Sequence, residues 1–71
     1  MEYRKLGKTG LDVSVIAMGC EAFVEDNSNA MKFFDMAEKA GVNYFDLFTS
    51  DPAARTAVGE ALKGRRDKFI I

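Results

Sequence analysis

The chain has no histidine and a single cysteine, Cys20. A lone cysteine excludes an internal disulfide, and without histidine no zinc cluster can be assembled, so no metal site is expected. Neither sign of charge is in excess: ten Lys and Arg stand against eleven Asp and Glu, for a net charge of −1. That balance lacks the electrostatic footprint that binding to nucleic acid or a membrane surface requires. No apolar run approaches the roughly 20 residues of a membrane-spanning helix. The opening Met1-Glu-Tyr-Arg-Lys5 has no apolar core of a secretory signal. These absences predict a cytoplasmic protein with neither nucleic acid nor membrane as a partner. What is present is ordinary, with 48% hydrophobic and 30% charged residues among 71. A chain of this length makes one domain, and it buries only about 60% of its unfolded surface.

Along the chain, Leu6-Gly-Lys-Thr-Gly-Leu11 places two glycines around a polar pair, with alternating residues on either side. This predicts a β-hairpin over Tyr3 to Ser14. Val15 to Met18 is an apolar run closed by Gly19, the pattern of a strand buried on both faces of a parallel sheet. A polar stretch follows, with Asn27 or Ser28 as N-cap. Ala30, Phe33, Phe34, Ala37 and Ala40 then recur at helical spacing, and Gly41 supplies the left-handed residue that ends such a helix.

Val42 to Phe48 reads as a second strand. Alternation puts Val42, Tyr44 and Asp46 on one face and Asn43, Phe45 and Leu47 on the other. Ser50-Asp51-Pro52 supplies an N-cap before the chain's one proline, at the first turn of a second helix. Ala54, Val58, Ala61 and Leu62 form its apolar stripe, and Gly64 stops it. Phe69 to Ile71 begins a third strand. The order is hairpin, then βαβαβ, which implies a parallel sheet. The βα units have similar lengths, as consecutive parts of a larger α/β fold would. A complete eight-unit barrel needs about 250 residues, of which this chain would supply roughly a quarter.

Chemistry in such folds gathers at the carboxyl ends of the strands. Asp46 falls at that end of the second strand, and Gly19, Cys20 and Glu21 at that end of the first. Neither loop carries the Gly-x-Gly-x-x-Gly series of a Rossmann turn.

Tyr3-Arg-Lys-Leu-Gly-Lys-Thr-Gly-Leu-Asp-Val-Ser14 and Ile16-Ala-Met-Gly19 resemble the start of an aldo/keto reductase. Ala40-Gly-Val-Asn-Tyr-Phe-Asp46 and Val58-Gly-Glu-Ala-Leu-Lys-Gly-Arg-Arg-Asp-Lys-Phe-Ile-Ile71 are similar to that family's next segments, in the same order. The resemblance implies a partial TIM (β/α)8 barrel over residues 1–71, closed at its bottom by the hairpin. It implies an oxidoreductase that reduces a small carbonyl substrate by hydride transfer from NADP(H). Family members use an Asp, a Tyr, a Lys and a His, the Tyr as proton donor. Asp46 matches the Asp, and it joins Gly19, Cys20 and Glu21 near the nicotinamide end of the cofactor. The Tyr position holds Asp51, and the Lys and His positions fall past Ile71. A truncated barrel, inactive alone, is therefore expected. Asp46-Leu-Phe-Thr-Ser-Asp-Pro52 resembles a divergent branch of the family, some members of which carry a distant C-terminal iron–sulfur segment.

Plainer readings stand beside these. Asp46 also reads as a cap for the loop after the strand, and Cys20 as a buried, inert thiol with no histidine partner. Tyr44 shares the face of Asp46 but sits where barrel-filling residues do. Tyr3 reads as a packing residue of the hairpin. Lys63-Gly-Arg-Arg-Asp-Lys68 suits a solvated helix end, where the dipole favours cations. The alternative function is a non-catalytic α/β module. It would fold by self-association through open sheet edges, or by complementing other barrel parts.

Overall fold

In the computed structural model, residues 1–20 and 27–71 are described. β1 (Tyr3–Lys5) and β2 (Asp12–Ser14) pair antiparallel, with Tyr3 opposite Ser14 and Lys5 opposite Asp12. The loop between them closes as the glycines allow, Gly7 and Gly10 both taking positive φ (53° and 79°). The Leu6 carbonyl accepts from the Thr9 N–H and the Thr9 hydroxyl.

β3 (Met18–Gly19) and β4 (Phe45–Asp46) pair parallel. Ile70 bridges to Tyr44, also parallel. The opposite edges of β4 serve its neighbours. The Tyr44 and Asp46 carbonyls accept from Met18 and Cys20, while Phe45 donates to the Ile70 carbonyl and Ile70 donates to that of Asn43. The alternation of strands and helices thus ends in the expected parallel order, with Ile70 as the whole of the third strand.

α1 (Ala30–Ala40) follows a 3-10 turn over Asn27–Asn29. That turn takes in both expected N-caps, Asn27 and Ser28, and moves the N-cap to Asn29. Gly41 ends α1 at φ 81°. Its N–H reaches the Glu38 carbonyl, and the Val42 N–H reaches that of Ala37, a Schellman closure. α2 (Pro52–Ala61) begins at the predicted proline, capped by Asp51, whose Oδ1 accepts from the Ala53 N–H at 3.0 Å.

Both helices cover one face of the sheet. Phe34 from α1, Phe45 from β4 and Phe69 from the last segment form a triangle, with ring centroids 4.9 to 5.5 Å apart. Ala37, Val58, Ala61 and Leu62 close around it. Edge-on ring pairs add about 0.5–1.5 kcal/mol each beyond burial. This triangle ties the helices to the sheet. Among the described residues, the architecture is a small α/β unit with two α-helices and two small sheets.

Three expectations need correction. Val15 and Ile16 do not lie in a strand buried on both faces; they are 46% and 56% exposed. The Ser14 hydroxyl donates to the Ile16 carbonyl at 2.7 Å and bends the chain between the two sheets. Val42 does not share the face of Tyr44 and Asp46. It is buried with the core, because the Schellman closure turns it inward before strand pairing begins. Ala40 is exposed at the edge of the α1 stripe. No helix among the described residues is long and apolar enough to cross a membrane.

Candidate functional site

β4 is the element that positions the site. Phe45 is driven into the phenylalanine triangle, so alternation turns Asp46 to the face the helices do not cover, where it is exposed. Gly19 lies in register beside Asp46. The Cys20 N–H donates to the Asp46 carbonyl at 2.9 Å, which fixes the backbone of both strand ends. The Asp46 carboxylate makes no ion pair or side-chain hydrogen bond with the described residues. Gly19 and Asp46 are thus brought together on the open face.

Cys20 behaves differently. Its side chain is 1% exposed and packs in the core with Phe34 and Phe45, so its backbone rather than its thiol faces the strand end. Glu21 lies outside the described residues. Tyr44 stands two residues before Asp46 on the same face and is half-buried. Asp51 is committed to the start of α2: its side chain caps the helix and its N–H donates to Thr49 Oγ1 at 3.1 Å. The Arg55 Nε donates to the Thr49 carbonyl at 2.8 Å and fastens the same loop.

Two residues before β4, the Asn43 Oδ1 accepts from the Ser14 N–H (2.7 Å), and the Asn43 Nδ2 donates to the Asp12 carbonyl (2.9 Å). The Asn43 N–H donates to the Ser14 hydroxyl at 3.2 Å. The Tyr3 hydroxyl donates to the Gly41 carbonyl at 2.6 Å, so Tyr3, 45% exposed, holds the hairpin by a hydrogen bond rather than by burial. A cavity of about 370 Å³ lies here, lined by Tyr3, Glu38, Gly41, Asn43 and Lys68, and Asp46 is not among its lining residues. Sequence reasoning missed this latch. An asparagine in a strand otherwise rich in aromatics was its signal.

The basic cluster is more than a solvated end. The Arg65 side chain, 15% exposed, reaches Asp35 at 2.7 Å and Glu38 at 3.1 Å, and its Nε donates to the Ala61 carbonyl at the end of α2. Lys68 meets Glu38 at 2.9 Å. The hydrogen bond from Lys68, then that from Arg65, holds the Glu38 carboxyl below its usual range. The hydrogen bond to Asp35 leads in raising Arg65.

No protein-family profile matches the chain. It is similar to "Uncharacterized oxidoreductase YqkF" of Bacillus subtilis (strain 168), at 33% identity over 73 residues. The alignment takes in 100% of this chain and 24% of that protein. The chain therefore spans about a quarter of the length of the curated relative it matches.

Proposed function

We propose that this chain is a βα portion of an NADP(H)-dependent oxidoreductase of the aldo/keto reductase type. In this reading it belongs to a (β/α)8 barrel, and Asp46 stands at the barrel's catalytic end. The observation that carries the reading is the Asp46 carboxylate: exposed at the carboxyl end of a parallel strand, level with Gly19, and unpaired among the described residues. The relative's name, an oxidoreductase, supports the same direction.

The described residues fit a cofactor in part. Gly19 has no side chain to obstruct a flat ring beside Asp46, whereas the Cys20 thiol is turned into the core. A bound nicotinamide would supply the hydride for a carbonyl carbon. Asp46, fixed on a rigid strand, orients a cationic side chain contributed from elsewhere and stabilises its charge. Asp51 is engaged in capping α2, so it does not serve as the proton donor. The chain by itself lacks the rest of such a machinery and turns over nothing.

The test is a chimera in which this chain replaces the matching quarter of the Bacillus subtilis relative, assayed by NADPH oxidation with a generic aldehyde. Asp46→Asn should lower turnover about 100-fold or more, with the thermal midpoint unchanged. An unaffected rate would overturn the assignment, as would turnover by the 71-residue chain alone that Asp46→Asn abolishes.

A second reading is favoured by Val15, Ile16 and Phe48, the last 79% exposed. These apolar groups and the open strand edges suit a module that self-associates. Sedimentation of the 71-residue chain as a clean monomer would exclude it.

A further inference from the structure

A second cavity, of about 300 Å³, lies on the loop that follows Asp46, lined by Leu47, Phe48, Thr49, Ser50 and Arg55. No carboxylate is among its lining residues. Two of these side chains break local rules. Phe48 is the most exposed large hydrophobic residue of those described, and a ring left in water forgoes the stabilisation of burial. Arg55 stands at the start of α2, the end of a helix where the dipole disfavours a cation. It has no carboxylate partner among the described residues, whereas Arg65 is paired with Asp35 and Glu38. Its Nε donates to the Thr49 carbonyl at 2.8 Å, which pins the guanidinium to the loop and leaves both terminal nitrogens to another acceptor. Residues that break local rules with no compensation inside the chain mark function rather than folding.

We infer that this cavity holds the carboxylate of the carbonyl substrate, which is therefore a small acid with a flat ring beside its anionic group. The planar guanidinium of Arg55 matches a carboxylate with two parallel charge-assisted bonds. The Ser50 hydroxyl is a further donor on the same wall. Phe48 offers its face to the ring, and Leu47 closes the apolar side against the core. A cavity at the small end of ligand pockets admits one ring and its acid group. Leu47 follows Asp46 directly in the chain, so the acid would be anchored at the strand end where Asp46 stands. The inference rests on the oxidoreductase reading and names its substrate class. Its test measures binding with no cofactor and no turnover, so either can fail without the other.

The probe is 4-formylbenzoate, with 4-formylbenzamide as its uncharged control, titrated into the 71-residue chain and followed by amide NMR shifts. Saturable shifts are expected at Phe48, Thr49 and Ser50, with the acid binding about tenfold tighter than the amide. Arg55→Gln should erase that preference. Arg55→Lys should keep only part of it, since an ammonium lacks the planar fork. Phe48→Ser should weaken both compounds several-fold with the thermal midpoint in place, because the ring it removes is exposed. Inorganic phosphate at the same concentration should leave the bound acid undisturbed. Equal affinity for the two compounds, binding of neither, or a preference that survives Arg55→Gln would overturn the inference. So would an affinity unmoved by Phe48→Ser. Displacement by phosphate would also overturn it, since the cavity would then take oxyanions at large, a cofactor's phosphate included, in place of a substrate acid.

Discussion

The segment Asn43 to Asp46, which runs into β4, is built on opposite principles at its two ends. At Asn43 every side-chain polar atom has a partner: the Ser14 N–H on the oxygen and the Asp12 carbonyl on the nitrogen. At Asp46, three residues on, the backbone is equally fixed by the Cys20 N–H, but the carboxylate stands without a partner among the described residues. The first end fastens the hairpin to the residues leading into β4 and serves stability. The second leaves a charged group on a rigid strand without an internal structural role, which is what a group awaiting a ligand or a neighbour requires. The difference teaches that one short segment can divide these tasks by position alone.

The sharpest way to break the contrast is at the satisfied end. Asn43→Ala strands the N–H of Ser14, a residue only 2% exposed, and also removes the bond to the Asp12 carbonyl. Leaving such a donor unpaired should destabilise the chain by about 2–3 kcal/mol, read as a lowered urea midpoint. A loss below about 0.5 kcal/mol would show that water replaces the latch without penalty.

Asp51 sharpens the comparison at the other end. It occupies the position where the resemblance expects a tyrosine, yet its carboxylate caps α2. Asp51→Ala should lower stability by about 1 kcal/mol. Asp51→Tyr should lose the same cap, and in the chimera it should raise NADPH turnover. A gain in rate with a fall in thermal midpoint would show the cap and the donor competing for one position. A midpoint unmoved by either change would remove the capping role.

Much of this frame was legible in the sequence because local rules agreed with the global fold. The α1 stripe from Ala30 to Ala37 with its stop at Gly41, the glycine-flanked hairpin loop and Asp51-Pro52 each depend on neighbours in the chain, and each stands where the pattern places it. What the sequence hid depends on tertiary partners. Val15 and Ile16 have a buried strand's composition but lie at a bend drawn by the Ser14 hydroxyl. Asn43 reads as one more alternating residue until the hairpin is brought against it. Arg65 reads as a dipole partner until α1 presents Asp35 and Glu38. For the candidate site, the strand end of Asp46 was legible from position, and so was the plainer reading of Cys20 as a buried thiol, which packs in the core with the phenylalanine triangle.

A smaller effect separates surface charge from both Asn43 and Asp46. The Glu38 carboxyl is held below its ordinary range, first by Lys68 and then by Arg65. Its unfolded form therefore takes up a proton at higher pH than its folded form. The stabilisation is fully present above the ordinary glutamate value and is lost as pH falls through the lowered one. The thermal midpoint should decline through this acid range, and Lys68→Ala should flatten the decline. The pair is exposed, so added salt should shrink the effect. A decline unchanged by Lys68→Ala would assign it to other carboxylates.

The smallest expected effect on stability falls at the residue with the largest proposed role. Asp46→Asn keeps the shape and the backbone bond from Cys20 and removes only a charge that no described residue meets, so folding free energy should move by less than about 0.5 kcal/mol. If instead the carboxylate were a loop cap, the same change would cost close to what Asp51→Ala does, since a lost cap is felt wherever it lies. Measuring both variants under one urea titration therefore separates the plain reading of Asp46 from the functional one without any substrate. An Asp46→Asn loss matching that of Asp51→Ala would make Asp46 a second structural carboxylate and erase the asymmetry between Asn43 and Asp46. A null effect beside a clear Asp51→Ala loss would leave its charge with no task inside this chain, and the partner that uses it would have to come from outside the described residues.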